Sequence, residues 1–160
     1  MKILITASVI AQAYKLKHLL NKEATFIYAD QIDMPAFIGK ENLFLRIPEG
    51  NSASFAHELL TLCLDQQIDY VFPLRKNEIL ALAEARQLFE EYQIKVVVPA
   101  KPDLLNFQSS VPANGNILVI YKNENLLTGQ LVETNLELET GVFVAVNGEE
   151  RTDYYIYTAN

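Results

Sequence analysis

Apolar residues follow two rhythms along the first hundred positions. Lys2 to Thr6 is a short apolar run that predicts a strand, and Val9, Ala13, Leu16 and Leu20 then recur at helical spacing. Thr25 to Ala29 predicts a second strand, closed by Asp30. After a loop holding Asp33, Pro35 and Gly39, Leu43 to Ile47 predicts a third strand before Pro48. Gly50-Asn51-Ser52 punctuates, with Ser52 or Ser54 placed to cap a helix whose Phe55, Leu59, Leu62 and Cys63 share a face. Asp69 to Phe72 predicts strand four, stopped by Pro73. Ile79, Leu82, Ala85, Phe89 and Tyr92 mark the long helix after it. Lys95 to Val98 predicts strand five, and Pro99 and Pro102 lead into a short last helix near Leu104 to Phe107.

Strands separated by helices need crossover connections, which implies parallel pairing with right-handed units. The connection from Asp30 to Leu43 is short for a full helix. The economical topology is an α/β, Rossmann-like, doubly wound parallel sheet in the order 3-2-1-4-5. After Gln108 the helical period disappears. Ile117 to Tyr121, Leu126 to Glu133, Leu138 to Val146 and Arg151 to Thr158 read as strands of a C-terminal antiparallel β-meander. Asn147-Gly148 is the strongest hairpin turn signal, because both central residues of a type I′ turn need positive φ, and Lys122-Asn123-Glu124-Asn125 is a weaker one. The expected division is a Rossmann-like domain over 1–108 and a β-rich extension over 109–160.

The stretch from Arg46-Ile47-Pro48 through Leu64, then Ile68-Asp69-Tyr70-Val71-Phe72-Pro73, Glu78 to Arg86, and Val96-Val97-Val98-Pro99 with Pro102, resembles the N-terminal (pre-ATP-grasp) domain of ATP-grasp ligases of the carbamoyl phosphate synthetase large-subunit type. The resemblance covers about residues 1 to 107. It implies a Rossmann-like fold that helps to form a substrate pocket, with the chemistry supplied by a following ATP-grasp module. The Asp-Lys pair that opens such a module is missing, since the corresponding stretch reads Asn106-Phe107-Gln108-Ser109, and the chain ends at Asn160, too early for the module.

Composition narrows the classes. The formal charge of −7, with scattered lysines and arginines, argues against a nucleic-acid partner. No apolar run has the length of a membrane span, so no membrane partner is expected. A single cysteine, Cys63, and no leader segment point to a reducing cytoplasm. The first βα turn, Ile5-Thr6-Ala7-Ser8-Val9-Ile10, contains none of the six glycines, so a dinucleotide cofactor of the usual kind is not expected, nor is any other cofactor. His18 and His57 have no metal-ligand spacing, and no metal site is expected. Cys63 lies on an apolar helix face as an inert thiol. Asp30, without a glycine turn, reads as a polar strand terminator. Glu84, Glu90 and Glu91 read as a solvated face.

Ligands in open parallel sheets bind beyond the carboxyl ends of the strands, where the strand order reverses. That places Thr6 and Ser8 on one side of a crevice and Leu74-Arg75-Lys76-Asn77-Glu78 on the other. Arg75 and Lys76 beside a helix N-terminus suit a small anionic metabolite, a carboxylate or a phosphate; a solvated loop is the alternative. The segment Asp153 to Thr158 carries Tyr154, Tyr155 and Tyr157, with both faces aromatic or apolar. Such a strand is either interior to the meander or an interface, and a homodimer is one expectation. No catalytic residue is assigned. The reading is a non-catalytic binding or interaction module; the alternatives are one piece of a split ATP-grasp ligase, working with a separate ATP-grasp chain, and a small-molecule sensor using the same crevice.

Overall fold

The computed structural model describes residues 1–20, 23–33, 43–133 and 135–159. The loop holding Pro35 and Gly39 lies outside these residues, and with it most of the short connection from Asp30 to Leu43.

The first sheet holds five parallel strands in the order β3-β2-β1-β4-β5: β1 (Lys2–Ile5), β2 (Thr25–Asp30), β3 (Leu43–Arg46), β4 (Tyr70–Phe72) and β5 (Lys95–Val96). This is the doubly wound order that the alternation of strand and helix predicts. Helices α1 (Ala11–Leu19), α2 (Phe55–Gln66) and α3 (Lys76–Glu91) connect the strands. Because strand side chains alternate between faces, β1 feeds both cores. Ile3 and Ile5 pack with Ala13 and Leu16 of α1 and with Phe26 and Tyr28 of β2. Leu4 packs with Phe55 and Leu59 of α2 and with Ile79, Leu82 and Phe89 of α3. The helical stripes were read slightly too long. Val9 precedes α1 and Tyr92 caps α3, and both side chains are exposed.

The second sheet has the order β6-β11-β10-β7-β8-β9, from β6 (Asn106–Gln108), β7 (Gly115–Tyr121), β8 (Glu124–Asn125), β9 (Gln130–Leu131), β10 (Gly141–Asn147) and β11 (Thr152–Tyr157). Its pairs are antiparallel except β6 with β11, which run parallel. The expected short helix at Leu104 to Phe107 is corrected: a 3-10 turn at Pro102–Leu104 passes directly into β6. Pro102 fixes the entry to that turn, and Phe107 then takes an extended backbone beside Ile156. The strand expected over Leu126 to Glu133 shrinks to Gln130–Leu131, and Leu136–Leu138 is a 3-10 turn before β10.

The two turn signals exchange ranks. Lys122 and Asn123 have φ of 48° and 66° between the paired residues Tyr121 and Glu124, the signature of a two-residue primed turn. Asn147 instead pairs with Thr152 inside the ladder, and the Gly148 amide donates to the Arg151 carbonyl at 2.8 Å, so the β10–β11 turn is centred on Glu149 and Glu150. Both cores continue into this sheet, through Ile120, Phe143 and Ile156 on one side and Val119, Val142, Val144 and Tyr157 on the other.

Candidate functional site

The carboxyl ends of β1, β2 and β4 meet where the strand order reverses, and their polar residues are tied into one buried network. Thr6, just past β1, accepts the Leu74 amide on Oγ1 at 2.8 Å and donates to Glu78 Oε2 at 2.5 Å. Glu78 stands at the third position of α3, where a carboxylate can reach back to the helix start. It does so, accepting the Arg75 amide at 3.3 Å. The Arg75 guanidinium crosses to Asp30 at the end of β2, with Nη2 2.8 Å from Oδ1. Asp30 also accepts the amides of Val9 and Gln31 at 3.2 and 2.8 Å. Asp30, Glu78, Thr6 and Ser8 are all fully buried, while the Arg75 side chain keeps 17% of its surface.

A buried ionised carboxylate is costly unless it is fully paired. Asp30 has three donors. Glu78 has two, both on Oε2, and its Oε1 has no hydrogen-bond partner. Burial accordingly pushes the Glu78 carboxyl up from 4.5 to about 7, against the opposing pull of Thr6 and Arg75. Three more buried polar atoms at the same strand ends have no hydrogen-bond partner among the described residues: Ser8 Oγ, Gln31 Oε1 and Arg75 Nε, the last standing 4.0 Å from Glu78 Oε1 as an ion pair.

The backbone of the first βα turn takes the conformation that a glycine would take, without the glycine. Ala7 has φ of 53° and is fully buried, a strained position for an alanine. The loop between β3 and α2 closes over the start of α3. A Cβ on Gly50 would stand 2.5 Å from the Glu78 nitrogen, so only a glycine permits this approach. The end of β11 closes the opposite side. Tyr157 Oη donates to the Gln12 carbonyl at 3.2 Å, and both Thr158 Oγ1 and the Ala159 amide donate to the Leu74 carbonyl at 2.7 Å.

The residues picked from the sequence thus separate. Thr6, Ser8 and Arg75 come together at the mouth. Asn77 turns back to accept the Glu78 amide at 3.0 Å, and Lys76 lies exposed with its Nζ 5.1 Å from the Phe107 ring centre. Tyr157 is buried within the chain, Tyr154 and Tyr155 are half-buried, and β11 has a partner on each edge. Sequence reasoning placed Glu78 on the lip of the crevice without a role and set Asp30 aside. The spacing of Glu78 three residues after Arg75 was the available signal for a helix-start carboxylate; nothing local marks Asp30 as the partner of an arginine 45 residues on.

Elsewhere, an apolar hollow of about 200 Å³ lies between Met1, Ile3, Leu20, Tyr70, Phe72 and Leu126. Among the described residues no group of three His, Cys, Asp or Glu side chains is placed to hold a metal ion, and no helix is long and apolar enough to cross a membrane.

No family model matches the chain, and no curated protein matches it. Among solved structures, glycinamide-RNase-transformylase T from Mycobacterium tuberculosis superposes with a TM-score of 0.47 and 14% identity, over 99% of this chain and 70% of that one. The strand order and register, not this superposition, establish the architecture.

Proposed function

We propose that this chain is a binding module of the pre-ATP-grasp type, without a reaction centre of its own, that takes a small polar metabolite at the mouth of its parallel sheet. The observation that carries this reading is the cluster of buried polar atoms there without a hydrogen-bond partner among the described residues: Ser8 Oγ and Gln31 Oε1, with Arg75 Nε and Glu78 Oε1 joined only by an ion pair at 4.0 Å. Buried polar groups are nearly always hydrogen-bonded, and four atoms without such a bond at the strand ends of a doubly wound sheet are best accounted for by a ligand that supplies it. The set offers both donors and acceptors. Arg75 already faces Asp30 and Glu78, so a bare anion finds its charge largely answered. A ligand carrying hydroxyl, amide or amino groups beside a carboxylate or phosphate suits the site better.

Thermal-shift screening of the full chain against amino acids, nucleotides and phosphorylated metabolites tests this. A ligand at a hundred times its Kd stabilises by about 2.7 kcal/mol, which raises Tm by several degrees. Ser8→Ala, which removes an atom with no partner, is expected to leave the unliganded Tm unchanged and reduce the shift. No shift with any compound, or a shift indifferent to Ser8→Ala, overturns the reading. Co-purification with a separate ATP-grasp chain would turn the module into the substrate-binding piece of a split ligase.

A further inference from the structure

We infer that Tyr157 to Ala159 form a strap across the mouth of the parallel sheet, and that this strap must lift before anything reaches Ser8 and Glu78. Its anchors lie on the two lips of the mouth. Tyr157 Oη is tied to the Gln12 carbonyl in the first turn of α1, whereas Thr158 Oγ1 and the Ala159 amide share the Leu74 carbonyl just before α3. The Thr158 amide adds a tie to the Gln108 carbonyl at 3.1 Å, and Gln12 Nε2 donates to the Ser109 carbonyl at 2.9 Å on the same side. All three strap residues are about 1% exposed.

Two features allow the strap to move while the sheet stays. The last pairs of β11 are Ile156 with Phe143 of β10 and Tyr157 with Gln108 of β6, so Thr158 and Ala159 lie beyond both ladders and Tyr157 is the hinge. Both anchors on the second lip converge on one carbonyl, so a single displacement releases two hydrogen bonds. Ser8 Oγ and Glu78 Oε1 are buried without hydrogen-bond partners, although Glu78 Oε1 stands 4.0 Å from Arg75 Nε. Their desolvation penalty is relieved when water enters, which lowers the cost of opening. The strap's purpose rests on the binding reading above, but its opening is measurable without a ligand.

The experiment places a thiol under the strap. Ser8→Cys in the full chain is reacted with an aromatic disulfide reagent; Cys63 is buried with its thiol pushed up to about 12, and stays silent while the chain is folded. Labelling is expected to be slow, and adding Thr158→Val is expected to speed it about fivefold, the factor that one lost hydrogen bond supplies. Thr152→Val, which removes the bond to Asn147 at the other end of β11, is expected to leave the rate unchanged. Labelling as fast as a free thiol, or equal acceleration by both valine variants, overturns the strap. Should Thr158→Val not fold, amide exchange in the unsubstituted chain gives the same answer. The Thr158 and Ala159 amides are expected to exchange about tenfold faster or more than the Val144 amide, and equal protection overturns the strap. A gated thiol in a chain that no metabolite stabilises keeps the strap and removes the binding reading.

Discussion

Thr6 Oγ1 and Glu78 Oε2 meet at 2.5 Å, joining the end of β1 to the first turn of α3 by a fully buried hydrogen bond. Because the same hydroxyl accepts the Leu74 amide, one side chain fixes both the strand end and the helix start.

The raised Glu78 carboxyl makes stability depend on pH with a definite sign. The folded chain holds the proton more tightly than the unfolded one, so the contribution is complete below about 4.5 and is lost as pH rises through about 7. Across that window the urea midpoint of the unsubstituted chain is expected to fall relative to that of Glu78→Gln, whose amide does not titrate. Two midpoint curves that stay parallel across the window would show that Glu78 ionises normally in the fold.

Arg75→Ala removes the guanidinium from a carboxylate with no exposure to water. Breaking one side of a buried pair costs about 3–5 kcal/mol, and the two amides that still reach Asp30 place the expected loss at the lower end. Asp30→Asn, which keeps an acceptor for those amides, is expected to cost less than Arg75→Ala. Urea denaturation of both variants decides the order.

Gly50→Ala forces a methyl to within 2.5 Å of the Glu78 nitrogen and 2.7 Å of the Asn77 carbonyl carbon. Neither neighbour is the end of a flexible side chain, so the β3–α2 loop must shift at a cost of about 1–3 kcal/mol. A Tm within a degree of the unsubstituted value would mean that the loop does not pack on α3.

Tyr157 separates an internal role from an interface role for the aromatic strand. Tyr157→Phe is expected to cost about 1 kcal/mol for the bond to Gln12, and Tyr157→Ala about 3–5 kcal/mol for the cavity. Light scattering alongside tells whether either change alters the mass in solution; destabilisation at constant mass is the expected result.

The parallel sheet was legible because its evidence is local. Each strand is an apolar run, each helix repeats an apolar stripe, and crossover chemistry leaves few strand orders. The second sheet was less so, since β8 and β9 are two residues each and β6 is held by a partner far along the chain. Glycine at 148 looked decisive for a turn, yet Lys122 and Asn123 adopt the positive φ instead, because ladder register outweighs turn preference. At the mouth of the sheet, topology alone was enough to bring Thr6, Ser8 and Arg75 to the strand ends. The role of Asp30 needed coordinates, because it answers a charge brought from a distant turn, and that of Glu78 because its hydroxyl partner, Thr6, lies 72 residues away.

The parallel pairing of β6 with β11 bears on how the chain assembles. Asn106 lies opposite Tyr155, so this edge of the second sheet joins residues far apart in the sequence. Contacts of such wide sequence separation slow folding, and they weld the two cores into one cooperative transition. Calorimetry of the whole chain should therefore trace a single peak.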